Sequence, residues 1–244
     1  MNNLFSALFV LAVACVTAPA QAQTAAPAQP QAAAAQPAGA KTLEAKTAMC
    51  MGCHNIKGYQ SSFPEVYKVP MIAGQNEKYI AAALAAYRKG ERKHPTMRAI
   101  AGSLSDQDIA DVAAYYAHLG SPAGSATAGG SAASAAPAAA AAPEHAPPPQ
   151  VAALLTKGNC VSCHGTNFSA PIDPSYPKLA GQHADYLFAA LKAYQTDHNP
   201  LVGRSNAIMM GMARPFTHPE IKAIAAYLAS LPGDLKTVQQ PRFR

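Results

Sequence analysis

Two five-residue strings hold most of the reactive side chains of this sequence: Cys50-Met51-Gly52-Cys53-His54 and Cys160-Val161-Ser162-Cys163-His164. Thiols three positions apart fall on one side of a helix. There each can add to a vinyl group of a haem, leaving the adjacent imidazole to bind the iron. Cys-x-x-Cys-His is the attachment signature of c-type haem. Other chemistries of these residues fit less well. A thioredoxin-like dithiol needs a βαβ setting, and the flanks lack one. A structural zinc needs four ligands for each metal. Two disulfides are formally open to an exported chain, but the repeated spacing, each time followed by histidine, argues against them. The expectation is two covalently bound haem c groups, attached at Cys50, Cys53, Cys160 and Cys163, with His54 and His164 as proximal iron ligands.

The sixth ligand separates a carrier from a catalyst. Met97 precedes Leu104-Ser105 by seven residues, and Met209 precedes Phe216-Thr217 by seven. A thioether opposite imidazole closes the iron to substrates and raises its reduction potential. A lone methionine is ordinarily core filler; repetition at one place in both halves favours ligation by Met97 and Met209. In the second half Met210 and Met212 are neighbouring alternatives. His94, His118, His145, His183, His198 and His218 are read as surface residues. The turns that begin at Pro70 and Pro177 could offer a carbonyl to Nδ1–H of each proximal histidine, although the spacing fits a simple turn proline equally well.

These groups need a scaffold, and the sequence supplies it twice. Pro70-Met71-Ile72-Ala73-Gly74-Gln75 matches Pro177-Lys178-Leu179-Ala180-Gly181-Gln182. Tyr79, Ile80, Ala83, Leu84 and Tyr87 match Tyr186, Leu187, Ala190, Leu191 and Tyr194, and Ile109, Val112 and Ala113 match Ile221, Ile224 and Ala225. Each set follows the spacing of one helix face. Ser105 with Asp108 and Thr217 with Glu220 read as capping boxes. No segment alternates convincingly with period two, so the expected class is all-α. A unit this small buries little core alone, and a large apolar cofactor would supply the missing interior.

Around the units the chain changes character. Residues 1–22 read as an export signal, with Leu4 to Val16 too short an apolar run to span a bilayer and Ala20-Gln21-Ala22 at the cleavage point. Cys15 matches a lipoprotein signal poorly and is read as lost with that segment. Residues 23–40 form an Ala/Gln/Pro segment read as disordered. The first unit is 41–120, the linker 121–149, the second unit 150–234, and a basic tail takes 235–244. A flexible linker of this length reaches roughly 30 Å, which argues against a fixed face-to-face pairing of the units. Net charge is +6, with Lys41, Lys46, Lys57, Lys68, Lys78, Arg88, Lys89, Arg92 and Lys93 scattered like a solvated surface. That surface could steer the protein toward an acidic redox partner; nucleic acid is not an expected partner.

With these motifs assembled, the chain resembles the dihaem cytochrome c4 family: two class I cytochrome c domains in tandem. Each runs Cys-x-x-Cys-His, Pro-x-Ile/Leu-Ala-Gly-Gln, Met, and then a string that in the first unit is Leu104-Ser105-Asp106-Gln107-Asp108-Ile109-Ala110. The resemblance covers about 41–120 and 150–232. It implies ligation by His54 with Met97 and by His164 with Met209, and proline carbonyl contacts to both histidines. It also implies an electron-transfer role between a quinol-oxidising cytochrome bc complex and a terminal haem–copper oxidase in bacteria; with the export signal the expected place is the periplasm, with no catalytic residues and with peripheral membrane association left open. The chain departs from the family in its longer linker and in Phe216-Thr217-His218-Pro219-Glu220. A second reading is the cytochrome subunit of a periplasmic dehydrogenase, draining electrons from a catalytic partner. A self-contained dihaem peroxidase would need an exchangeable iron site, against which the paired methionines argue.

Overall fold

A computed structural model describes residues 41–119 and 145–239. The stretch read as a signal (1–22), the segment 23–40, most of the span read as linker and the last five residues of the tail lie outside this range. The first unit contains α1 (Leu43–His54), α2 (Glu77–Lys89), α3 (Pro95–Gly102) and α4 (Asp106–His118). The second contains α5 (Pro149–Lys157), α6 (Cys160–His164), α7 (Ala184–Gln195), α8 (Ala207–Ala213) and α9 (His218–Ser230). The plan repeats as the sequence does: α2 packs on α4, and α7 on α9. Both final helices begin in capping boxes, Ser105 with Asp108 and Thr217 with Glu220.

The cores follow the expected faces. In the first unit Ile80 and Leu84 of α2 meet Ile109, Val112, Ala113 and Tyr116 of α4. In the second, Leu187 of α7 meets Ile221, Ile224, Ala225 and Leu228 of α9, with Val151, Leu155 and Phe168. The attachment segments differ. α1 is continuous, whereas the matching stretch breaks into α5 and α6 at Gly158-Asn159. Asn159 takes a left-handed φ of 47°, which its short polar side chain tolerates. A side chain at Gly158 would come within 3.0 Å of the Phe216 ring and 3.1 Å of Cys160 Sγ.

Short strands appear where none were expected. β1 (Gln60–Ser61) pairs with β2 (Tyr67–Lys68), and β3 (Arg92–Lys93) pairs with β4 (Gly203–Arg204), both antiparallel. Two-residue ladders are too short to leave a period in the sequence. The β3–β4 pair joins the two units, and with it the expectation of independent units falls. Gln75 Oε1 accepts from Lys178 N at 2.9 Å while its Nε2 donates to Lys178 O at 3.0 Å. Gln182 Oε1 accepts from Met71 N at 3.0 Å while its Nε2 donates to Met71 O at 2.9 Å. The contact is two-fold in character, because Gln75 matches Gln182 and Met71 matches Lys178 in the repeat. Asn76 Nδ2 donates to Tyr176 O at 2.9 Å, and Glu65 pairs with Lys192 across the same seam. Specific polar contacts hold the units together whatever the length of the connection.

The ends of the second unit also differ from the reading. Helix α5 starts at Pro149, inside the span read as linker, and His145 O accepts from Tyr227 Oη at 3.0 Å. The start of the supposed tail is packed. Leu235 is buried, Lys236 bridges to Ala73, and Val238 packs against the first unit's core. Asn55 Nδ2 donates to Val238 O at 2.7 Å, and Asn55 Oδ1 accepts from Tyr116 Oη at 2.8 Å. The residues following α9 thus strap the second unit to the first.

Lys46 was read as solvated surface. Its side chain is only 10% exposed and ion-pairs with Asp108 and Asp111, tying α1 to α4. The hydrogen bond from Lys46 holds the Asp108 carboxyl down at about 2. A depressed carboxyl stabilises the fold above the ordinary carboxylate range, about pH 4, and that contribution fades as pH falls through the folded value. Asp108→Asn should therefore flatten the loss of stability between about pH 4 and 2. Urea unfolding of the haem-loaded protein at graded pH checks this; an unchanged acid profile would contradict the link.

Candidate functional site

Each Cys-x-x-Cys-His string closes a helix, α1 or α6, so its histidine leaves the helix end toward a proline turn. His54 Nδ1 lies 2.8 Å from Pro70 O, and His164 Nδ1 lies 3.2 Å from Pro177 O. A carbonyl can only accept, so Nδ1 carries the proton and Nε2 keeps its lone pair for a metal. Burial lowers the pKa of both imidazoles, against the opposing pull of the proline carbonyls. They are held neutral, the form that binds iron. The turn carbonyls, left open by spacing alone, thus accept from both histidines.

The cysteines are not poised as redox thiols. All four are free; burial pushes the Cys50 thiol up to about 11 and raises that of Cys160. A catalytic dithiol needs the opposite shift, toward thiolate. Among the described residues no three His, Cys, Asp or Glu side chains cluster to hold an ion, as a zinc centre of protein ligands alone would require.

Cys50, Cys53, His54, Met97, Cys160, Cys163, His164 and Met209 all line one continuous cavity of about 650 Å³. Its walls are largely apolar, with Ile80, Leu84, Ile100 and Val112 in one unit and Leu187, Leu191, Ile224 and Leu228 in the other. Free thiols, a neutral imidazole with one nitrogen available, a thioether and apolar walls in each unit are the donor set a covalently attached haem needs.

The methionines occupy equivalent places. His94 caps α3, its Nδ1 accepting from Met97 N at 3.3 Å. Asn206 caps α8, its Oδ1 accepting from Met209 N at 3.0 Å. Each methionine is the third residue of its helix. Met212 also lines the cavity, one turn further on and 39% exposed, whereas Met210 does not line it. His94, read as a surface residue, is half-buried and on the cavity wall. His118, His198 and His218 are exposed, while His145 and His183 are half-buried.

Backbone strain marks the second attachment loop. Gly165, directly after His164, has φ 78° and ψ 161°, a region essentially restricted to glycine. A side chain there would also come within 2.2 Å of Ala170 O. The bend lets the chain turn sharply away from the histidine.

Sequence reasoning missed the groups between the two slots: Gln75, Gln182, Arg92 and Arg204. The glutamines stood in the repeated string, and their repetition was the available signal. Arg92 was counted with the solvated cations, yet it is buried.

Comparison with known proteins agrees with the geometry. The cytochrome c family profile matches residues 38–120 and again 150–232. The chain is 29% identical over 195 residues to cytochrome c4 of Pseudomonas aeruginosa, covering 77% of this chain and 86% of the relative. It is 30% identical over 186 residues to a thiosulfate dehydrogenase electron acceptor of Stutzerimonas stutzeri, covering 74% and 79% respectively. The crystal structure of reduced cytochrome c4 from Pseudomonas stutzeri superposes with a TM-score of 0.53 at 26% identity, over 78% of this chain and 97% of that one.

Proposed function

The chain belongs to the cytochrome c family, as a tandem member of the cytochrome c4 type that carries electrons on two covalently bound haem c groups, and from that premise we propose a periplasmic shuttle between a quinol-oxidising cytochrome bc complex and a terminal oxidase. Cys50 and Cys53 attach one haem and Cys160 and Cys163 the other. His54 with Met97 and His164 with Met209 hold the irons. The observation that carries this reading is the duplication of the donor set: each unit places a neutral, carbonyl-anchored histidine and a third-position methionine on the wall of one apolar cavity.

Bound haem supplies reversible one-electron chemistry at its iron. The protein's part is to fix the imidazole through Pro70 O and Pro177 O, to fill the sixth position with a thioether, and to exclude water with the aliphatic walls. A filled sixth position leaves no place for a substrate, which suits a carrier. The stretch 1–22, read as an export signal, supports a periplasmic location; among the described residues no helix is long and apolar enough to cross a membrane.

A second reading has its own support. Two curated relatives are thiosulfate dehydrogenase electron acceptors, so a dehydrogenase is the competing donor. The test is electron exchange of the purified dihaem protein with each candidate. The shuttle reading expects reduction by the bc complex and stoichiometric reoxidation by the oxidase. Reduction by a thiosulfate-oxidising dehydrogenase, with no exchange with the bc complex, would replace it with the second reading.

A further inference from the structure

The two units repeat each other, yet they differ beside the proximal histidine. His54 is followed by Asn55 and His164 by Gly165. Asn55 is 4% exposed, and both ends of its amide are used: Oδ1 accepts from Tyr116 Oη at 2.8 Å, and Nδ2 donates to Val238 O at 2.7 Å. The residue that corresponds to Tyr116 is Leu228. Each of the two lends its carbonyl to the glycine of its proline turn, Gly74 N at 2.9 Å and Gly181 N at 3.0 Å. Gly165 and Leu228 have no side-chain polar groups, so the second unit cannot build the network that stands beside His54. A buried amide is costly unless it is paired, and one partner of Asn55 comes from beyond α9. The same segment meets the turn that anchors the histidine. Lys236 N donates to Ala73 O at 3.1 Å, and a side chain at Gly74 would lie 2.7 Å from Asp234 O. The second turn is covered from within its own unit, by Leu231 O, 3.3 Å from a side chain placed at Gly181. Residues 234–238 therefore grip His54 from two directions: through Asn55, its neighbour, and through Ala73-Gly74, in the turn begun by Pro70. The bond from His54 Nδ1 to Pro70 O is 2.8 Å, against 3.2 Å from His164 Nδ1 to Pro177 O.

We propose that the segment 234–238, with Asn55 and Tyr116, is a positioning device for the first unit's histidine alone: it holds His54 Nδ1–H on Pro70 O and so sets how strongly that imidazole donates to iron. This rests on the reading of His54 as the proximal haem ligand. A hydrogen bond donated from the outer ring nitrogen orients the ring and raises the basicity of the ligating one. A more basic imidazole favours ferric iron, so loosening the bond favours ferrous iron and raises the potential, hydrogen bonding and burial being the protein's levers on it. Asn55, Tyr116, Lys236 and Val238 do not line the cavity. They are positioning residues, acting on the iron only through His54.

The experiment compares the haem-loaded, full-length wild type with Asn55→Leu, Asn55→Gln, Lys236→Pro and Lys236→Ala. Proline removes the backbone N–H that bonds Ala73 O, whereas alanine keeps it and removes only the exposed side chain. Three quantities are read: haem per chain by pyridine haemochrome, both midpoints by redox titration, and the hydrogen–deuterium exchange of the proximal ring N–H by NMR of the reduced protein. The first haem's wave is the one displaced in Met97→Ala. Every variant should carry two haems. Asn55→Leu and Lys236→Pro should raise the first midpoint and speed exchange of the His54 ring proton several-fold, leaving the second haem unchanged. Asn55→Gln should recover part of the effect, and Lys236→Ala should match the wild type. An unshifted first midpoint or an unchanged exchange rate in Lys236→Pro would overturn the proposal. So would equal shifts at both haems, or a downward shift, which would report water reaching the iron. If Asn55→Leu does not fold, Lys236→Pro against Lys236→Ala decides the matter. A wild type with fewer than two haems would instead overturn the haem reading beneath the proposal.

Discussion

Met97→Ala should retain both haems, lose one haem's share of the far-red methionine–iron charge-transfer band, and lower the first haem's potential by roughly a few tenths of a volt, within the ~0.8 V range set by axial ligation. The thioether stabilises reduced iron, so its loss favours the ferric state. Met209→Ala should do the same in the second unit. Redox titration with optical detection reads both effects. Met209 holds the third position of α8 as Met97 does in α3, both under a side-chain cap. An unchanged titration in Met209→Ala would move the ligand to Met212, the other methionine of α8 on the cavity wall. A spectrum unaltered in Met97→Ala would remove the methionine reading from the first unit.

The second large effect is expected at the seam. Gln75 and Gln182 are 4% and 3% exposed and make four hydrogen bonds between the units. At about 0.5–1.5 kcal/mol each, these bonds contribute roughly 2–6 kcal/mol to holding the units together. Replacing both residues with leucine also leaves the backbone groups of Met71 and Lys178 unpaired. The consequence reaches the irons, since Met71 follows Pro70 and Lys178 follows Pro177. Each glutamine braces the turn that orients the other unit's histidine. Gln75→Leu/Gln182→Leu should unfold in two calorimetric transitions where the parent shows one, with slower exchange between haems. A single unshifted transition would show that the remaining seam contacts suffice.

The chemistry of the chain was legible because it is local and repeated. Cys50 to His54 announces its partner within five residues, and the copy at Cys160 excludes coincidence. Helix faces such as Ile109, Val112 and Ala113 repeat with a period that survives changes in loop length. Caps such as Ser105 with Asp108 are written in adjacent residues. The seam was not legible, because its bonds join residues about a hundred positions apart and use backbone atoms of Met71 and Lys178, whose side-chain identity says nothing of them. Arg92 shows the same limit. A buried arginine and a solvated one look alike in sequence, and only the strand pairing with Gly203–Arg204 distinguishes them. The stretch 235–239 was misread for a related reason: basic residues near a terminus suggest solvent, while the anchors are Leu235, a backbone bridge at Lys236 and the carbonyl of Val238.

The strap after α9 also constrains the order in which the molecule can be completed. A chain is delivered from its N-terminus, and domains tend to fold as they emerge. The first unit has Cys50, Cys53 and all four of its helices long before residue 238 exists. Asn55, next to the first proximal histidine, nevertheless waits for Val238 O to satisfy its amide. Until residues 235–239 are in place, the first unit's core lacks the cover that Val238 gives it. The unit delivered first is therefore completed last, by a segment that follows the final helix of the second unit.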